Sequence, residues 1–261
     1  MISKIKSYLM RPKIKRTIKK YENISKFHKK TLNYVFIPNK KSNKLLIIFS
    51  AFPPDNQAAR YNYLSSFINL KCNQLYILDN FGPNPRGGSY YLGENGEFDI
   101  KDAVEDLINK LVIKNQIDRN EIICTGTSKG GYASIYFTVR NNFKAAIVGA
   151  PQFLLGNYLN ENNHKIFLNY IMGGTSTNSV NELNEILKHE LEKNNFSSKI
   201  YIHVGDKEPH YSEHVLPMVE FMKKKGISNY ELNTKPYTNH NEVGKYFPNF
   251  STKLIKKIFN I

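Results

Sequence analysis

Short apolar runs alternate with stretches of helical period over most of the chain. Tyr34 to Ile37, Leu45 to Phe49, Leu75 to Leu78, Ile122 to Cys124, Ala145 to Val148, Lys199 to Val204 and Tyr230 to Leu232 read as strands. The run Leu45 to Phe49 is continuously apolar, which suits a strand covered on both faces of its sheet. Between these runs, Val104, Leu107, Ile108 and Leu111 recur at i, i+3, i+4 and i+7 behind the capping candidate Asp99, which predicts an amphipathic helix. Further helices are expected over about Ala58 to Leu70, Tyr132 to Arg140, a segment that Pro217 opens no earlier than about Val215 and Gly226 stops, and Phe250 to Phe259. Strands alternating with helices predict an α/β fold built on a doubly wound, mostly parallel sheet.

Two segments break the alternation. Asn80 to Phe98 carries Gly82, Pro83, Pro85, Gly87, Gly88, Gly93 and Gly96, so it reads as a loop at the C-terminal end of a strand. Ligands of open α/β sheets bind at that end, which makes Arg86, Tyr90 and Tyr91 candidate substrate-binding residues, although a long connection alone accounts for the composition. The second break, about 152–193, follows the strand Ala145 to Val148 and is too long for a simple crossover. It is expected to be a helical insertion covering a site, with a purely structural excursion as the alternative.

The segment Gly126-Thr127-Ser128-Lys129-Gly130 lies between the strand ending at Cys124 and the next helix. Strand, G-x-S-x-G, helix is the order of a nucleophile elbow, in which the glycines admit neighbouring chains close to a serine on a sharp turn. Ser128 is therefore the candidate nucleophile, and the N–H of Lys129, in the first helical turn, a candidate oxyanion donor. A glycine-rich turn whose serine only caps the helix is the structural alternative. The loop after Leu45 to Phe49 reads Ser50-Ala51-Phe52-Pro53-Pro54; the prolines have no N–H, so Phe52 is the candidate second donor.

A serine hydroxyl needs a base, and an imidazole needs a carboxylate to fix its tautomer. Downstream, Asp206 follows the strand Lys199 to Val204, and His240 occupies the loop before the last helix. The chain order Ser128, Asp206, His240 is that of the α/β-hydrolases. Glu208 is a competing acid, and Asp206 also fits a turn. Among the 7 histidines, His210 and His214 are rivals to His240; His203 is expected in the core, His28 in an N-terminal arm, and His164 and His189 in solvent.

Charge adds one further feature. Eleven of the 37 Lys and Arg and one of the 22 acids lie in residues 1–30, which therefore hold +10 of the net +15. With Ile2, Ile5, Leu9, Ile14 and Ile18 at helical spacing, this basic arm is expected to attract an anionic membrane surface, a solvated arm being the alternative. The expected organisation is thus an arm, 1–30, and a catalytic domain, 31–261. No recognition motif accompanies the charge, so nucleic acid is not an expected partner. The absence of a long apolar span and of a signal-like apolar region makes cytoplasmic residence the expectation. Cys72 and Cys124 are expected to be reduced thiols, and no Cys or His spacing predicts a metal site.

The Phe49-Ser50-Ala51-Phe52 loop, the elbow Gly126-Thr127-Ser128-Lys129-Gly130-Gly131, Val204-Gly205-Asp206, and the run His240 to Phe247 together resemble the α/β-hydrolase-like proteins of bacterial capsule biosynthesis. These include capsular polysaccharide O-acetyltransferases and accessory-secretion glycoprotein acetyltransferases. The resemblance covers about Tyr34 to Ile261 and implies an α/β-hydrolase-like fold. It further implies Ser128, Asp206 and His240 as a triad, acetyl-CoA as donor, a polysaccharide or glycan hydroxyl as acceptor, and a position near a membrane-bound capsule machinery. A carbohydrate esterase or thioesterase of the same fold, or a non-catalytic capsule-assembly protein, remains compatible with the same motifs.

Overall fold

The computed structural model describes residues 2–54, 57–161, 163–193 and 196–261. The elements run α1 (Ile2–Tyr21), β1 (Glu22–Phe27), β2 (Lys30–Ile37), β3 (Leu45–Phe49), α2 (Leu64–Phe67), β4 (Asn73–Ile77), α3 (Asp99–Lys114), β5 (Ile122–Thr127), α4 (Lys129–Asn141) and β6 (Ala145–Gly149). They continue with α5 (Leu155–Leu159), α6 (Lys165–Met172), α7 (Thr177–Glu192), β7 (Lys199–Gly205), α8 (Leu216–Lys224), β8 (Tyr230–Lys235) and α9 (Val243–Phe259). The eight strands form one sheet in the order β1-β2-β4-β3-β5-β6-β7-β8. β1 and β2 enter antiparallel, and every pairing from β4 to β8 is parallel. The expected doubly wound sheet and the helical insertion after β6 are both present.

All residues of β3, β4, β5 and β6 are buried, as the continuous apolar runs require of strands covered on both faces. α4 packs on β3, β5 and β6 and meets α7 of the insertion, while α9 packs on β5, β6 and β7 and meets α2. After β3 the chain moves outward to β4 and then returns to the other side of β3 as β5. The C-terminal ends of β3 and β5 therefore lie side by side at the point where the winding reverses, with Ile48 paired to Thr125. That is where an open α/β sheet leaves a crevice.

Several boundaries differ from the sequence expectation. The N-terminal arm is not separate from the domain: β1 pairs along its length with β2, from Glu22 opposite Val35 to Phe27 opposite Lys30. Lys30 is buried and forms ion pairs with Glu94 and Asp99, and Ile14, Ile18 and Tyr21 pack against the core. The hairpin was hidden because Glu22 to Phe27 is an edge strand, exposed or half-buried throughout, and lacks an apolar face. The side chains of Ile2, Ile5 and Leu9 lie outside the described residues. Of the helix expected over about Ala58 to Leu70, one turn at Leu64–Phe67 forms; Tyr63 before it has φ 61°, and Ala59 N–H instead bonds the Pro85 carbonyl. α9 starts seven residues earlier than expected and contains Pro248, which can make no bond to the Gly244 carbonyl one turn back but does not end the helix.

The close approach of β3 to the elbow yields a stability test. A Cβ on Gly130 would lie 2.3 Å from the Phe49 carbonyl oxygen, whereas a Cβ on Gly244 meets nothing within 4 Å. Gly130→Ala is expected to lower unfolding free energy in urea by about 1–3 kcal/mol or more, and Gly244→Ala, inside a helix, to raise it by about 0.5–1 kcal/mol. Equal effects of the two substitutions would contradict this packing.

Candidate functional site

Ser128 sits between β5 and α4 with φ 51° and ψ −121°, a left-handed backbone that a residue with a side chain adopts at a cost of about 1–3 kcal/mol. Its N–H bonds the Gly149 carbonyl at 2.9 Å, and its carbonyl accepts from Tyr132 N–H at 3.0 Å. The flanking glycines are sterically required. A Cβ on Gly126 would stand 2.6 Å from the Gly130 carbonyl group and 2.9 Å from the Phe49 oxygen. Lys129 is the first residue of α4, so its N–H has no acceptor one turn back. In the neighbouring loop, Ser50 N–H is taken by the Tyr91 hydroxyl at 2.6 Å and Ala51 N–H by Asn62 Oδ1 at 2.9 Å. Pro53 and Pro54 have none, which leaves the N–H of Phe52 for a ligand.

His240 lies in a short helical turn before α9, and its Nδ1 is 2.8 Å from Glu208 Oε2. Glu208, not Asp206, is the acid that meets His240. The turn after β7 explains the exchange: Asp206 N–H bonds the Lys235 carbonyl and continues the pairing with β8, with the Asp206 side chain exposed. Glu208 folds back under the turn, its Oε1 accepting Gly205 N–H at 3.2 Å, and is buried. Burial pushes its carboxyl pKa up, but the His240 hydrogen bond and charge and the Gly205 N–H outweigh that and hold it below the usual carboxylate value.

The two rival histidines lie behind His240. The His210 ring centroid is 3.9 Å from that of His240, with Nδ1 3.1 Å from the Ala150 carbonyl oxygen. Burial, with the neighbouring imidazoles, pushes His210 down to about 4 and His214 to about 3. Both are neutral near pH 7. His203 is buried, as expected of a core residue; His164, expected in solvent, instead stacks on Tyr158 with centroids 4.6 Å apart.

Ser128, His240, Phe52, Arg86, Tyr158 and His164 all border one cavity of about 540 Å³. Tyr158 and His164 come from the insertion, which therefore forms one wall. Of the candidates in the Gly-rich loop, Arg86 alone reaches the cavity. Its guanidinium lies over the Phe52 ring at 5.2 Å and bonds the Pro53 carbonyl at 3.3 Å. Tyr90 and Tyr91 are fully buried and have no surface to offer a substrate. Tyr91 OH bonds the Ile77 carbonyl at 3.0 Å, and Tyr90 packs edge-on to Phe52 and Tyr132.

Sequence reasoning missed two groups. Lys129 contributes a side chain as well as an N–H, its ammonium meeting Asp79 at 2.8 Å with both side chains fully buried. Gln152, at the start of the insertion, donates from Nε2 to Ser128 Oγ at 2.9 Å. Neither pairing has a local signal, since the partners are 50 and 24 residues apart. Among the described residues, no group of three or more His, Cys, Asp or Glu side chains is arranged to hold a metal ion.

The sequence matches the model of the prolyl oligopeptidase family over residues 75–260. It is 22% identical over 240 residues to an accessory Sec system protein of Staphylococcus aureus, covering 87% of this chain and 44% of that protein, and so spans less than half of that relative's length. Among solved structures, the capsule O-acetyltransferase of Neisseria meningitidis serogroup A superposes with TM-score 0.74 at 21% identity, covering 89% of this chain and 93% of the other. A mutant of the same protein in complex with CoA gives 0.73 at 20% identity, covering 90% and 94%. The glycosylation-associated Gap123 complex of Streptococcus agalactiae gives 0.72 at 17% identity, covering 92% of this chain and 47% of that one. The capsule and accessory-secretion proteins that the motifs resemble are thus both among the similar proteins, and the fold is that of the α/β-hydrolases.

The neutral histidines behind the site make stability depend on acid. An unfolded histidine binds its proton near pH 6.5 and the folded His214 only near 3, so in between the unfolded chain holds more protons and stability falls as pH falls. Each such histidine contributes a slope of about 1.4 kcal/mol per pH unit. His214→Gln is expected to flatten the loss of urea stability between pH 6.5 and 5 by about that slope; an unchanged slope would show that His214 is not held neutral.

Proposed function

The chain belongs to the prolyl oligopeptidase family, and from that premise we propose that it is a serine-dependent acyltransferase acting on a carbohydrate hydroxyl, with Ser128 as nucleophile, His240 as base and Glu208 as the acid that orients it. The observation that carries this reading is the convergence of a strained serine elbow and a carboxylate-bound histidine on one cavity. With Nδ1–H donated to Glu208, the basic lone pair of His240 is on Nε2. That atom takes the Ser128 proton as Oγ attacks the acyl carbon. The N–H groups of Lys129 and Phe52 stabilise the tetrahedral oxyanion, where one such donor contributes about 3 kcal/mol. His240 then protonates the leaving thiolate, and in the second half-reaction it deprotonates the acceptor hydroxyl that releases the acyl group from Ser128.

The CoA complex of the similar capsule O-acetyltransferase supports an acetyl-CoA donor, and the capsule and glycosylation contexts of the similar proteins support a polysaccharide or glycan acceptor. Hydrolysis is the second reading, favoured by the half-exposed side chain of His240, which leaves the acyl-enzyme open to water. The position proposed for the protein is the inner face of the cell membrane. Lys13, Lys15, Arg16, Lys19 and Lys20 are exposed on α1 while Ile14, Ile18 and Tyr21 pack inward, so the helix presents a basic face. No helix among the described residues is long and apolar enough to cross a membrane.

A fluorophosphonate probe is expected to label the wild type and leave Ser128→Ala blank. Acetyl-CoA turnover should fall by about 10³-fold or more in His240→Ala and by about 10²- to 10⁴-fold in Glu208→Gln, but by less than about threefold in Asp206→Asn. A severe effect of Asp206→Asn would return the acid role to that residue. Acetyl-CoA consumption that rises on adding polysaccharide, with acetyl ester recovered on the sugar, marks the transferase; release of acetate alone marks the hydrolase.

Surface attachment is tested without removing the edge strand. Each basic residue near an anionic surface contributes about 1 kcal/mol, so Lys15→Glu, Arg16→Glu and Lys19→Glu combined should lower sedimentation with phosphatidylglycerol vesicles by at least about tenfold at low salt. Turnover of a small acyl ester should stay within about threefold. Unchanged sedimentation would remove the role of the basic face.

A further inference from the structure

We infer that Gln152 is a catalytic residue whose side-chain amide holds the Ser128 hydroxyl in its reactive state, a reading that rests on Ser128 being the nucleophile. A serine Oγ has one proton and two lone pairs. Attack on an acyl carbon needs the proton directed at the base and Oγ kept in one rotamer. An N–H aimed at Oγ meets both needs: it occupies one lone pair and, unlike a carboxylate or carbonyl, cannot draw the serine proton away from His240.

Gln152 Nε2 donates to Ser128 Oγ at 2.9 Å. The Gln152 side chain is fully buried, and its amide also lies within hydrogen-bonding reach of Tyr158, whose ionisation it favours against the stronger effect of burial. Gln152 Oε1 has no hydrogen-bond partner, a cost the fold accepts although an apolar side chain of the same length would avoid it. The backbone that delivers the amide is fixed in turn. Ala150, two residues earlier, has φ 42°, donates its N–H to the His203 carbonyl at 2.7 Å and receives His210 at its own carbonyl. The loop after β6 thus holds the nucleophile through Gln152 and supports the ring behind His240 through Ala150.

The chemical consequence follows from charge. As the proton passes from Oγ to His240 Nε2, negative charge develops on Oγ before formation of the bond to the acyl carbon hands it to the acyl carbonyl oxygen, and a hydrogen bond to a charged acceptor is about twice as strong as one to a neutral acceptor. The same N–H stabilises Oγ when that bond breaks in the second half-reaction and the proton returns from His240. Gln152 therefore acts in both half-reactions and on any acyl donor, which separates it from the oxyanion donors that act on the substrate carbonyl.

The test uses the full-length protein with a fluorophosphonate probe and p-nitrophenyl acetate. Gln152→Met keeps the length and removes the donor; Gln152→Glu keeps the shape and replaces the donor by an acceptor. Both are expected to slow second-order labelling of Ser128 and kcat for the ester by about 10- to 100-fold, with KM within about threefold, and Gln152→Glu is expected to be the slower at pH 8. Thermal unfolding identifies which variant keeps the native fold, and either one alone decides. Labelling within twofold of wild type in a folded variant overturns the inference while leaving Ser128 as nucleophile. Equal labelling of Ser128→Ala and wild type instead overturns the function on which it rests.

Discussion

The fully buried ion pair between Lys129 and Asp79 is the interaction on which the geometry of the site depends. Taking two charges out of water costs several kcal/mol per ion, so such a pair persists only where the surroundings satisfy both partners. Here the Asp79 carboxylate also accepts from Ser89 Oγ at 2.7 Å, and the ammonium of Lys129 lies 4.9 Å from the centre of the Phe52 ring and 5.7 Å from that of Tyr91. Burial drives the lysine pKa down while the Asp79 charge and hydrogen bond act against it. One side chain thereby ties the elbow residue after Ser128 to the exit of β4, to the Gly-rich loop through Ser89 and Tyr91, and to the ring of Phe52.

Phe52 passes that constraint on. Its ring packs 5.0 Å from Phe167 and 6.4 Å from His164 in the insertion, and carries the Arg86 guanidinium on one side. Strained backbone collects around the same point: Tyr63, Tyr90, Tyr91, Ser128 and Ala150 all have positive φ. Non-glycine residues hold such angles only where the surrounding packing over-determines them. Among the described residues, five more of this kind, His28, Asn95, Gln116, Asn142 and Asn260, lie in other turns and helix ends, but the cluster around Ser128 is the one that borders the cavity and its supporting side chains.

How far the sequence could be read follows from the range of each interaction. The buried strands, the elbow and the insertion were legible because they are written in contiguous residues, and so was His240, from its place before the last helix. The acid was not. Asp206 and Glu208 share one turn, and the choice between them depends on whether residue 206 extends the β7 pairing with β8, as its N–H bond to Lys235 shows it does. Tyr90 and Tyr91 read as substrate-binding residues of a loop at a strand's C-terminal end because nothing local reveals that Tyr91 reaches back to Ser50. The arm misled through its charge. Lysines dominate residues 1–30, yet Tyr61 bonds Glu22 and Lys13 bonds Asn69, long-range ties that no periodicity displays.

The division of labour within the site bears on what decides its reaction. The sheet fixes Ser128, the backbone N–H groups of Lys129 and Phe52 and the His240–Glu208 pair, and a frame of that kind serves any acyl transfer the fold supports. The insertion contributes Tyr158 and His164 to the cavity wall, Phe167 behind Phe52, and begins at the residue whose amide holds Ser128. On the proposed mechanism, a half-exposed His240 would activate water or a sugar hydroxyl alike, since both would be deprotonated at the same Nε2. Selection between them must then come from what occupies the space above the acyl-enzyme, because excluding water is a matter of filling volume, not of base strength. On the proposed mechanism, the wall to which Tyr158 and His164 contribute is therefore where acceptor choice would be encoded, and substitutions on it would alter the ratio of transfer to hydrolysis without altering the chemistry of Ser128.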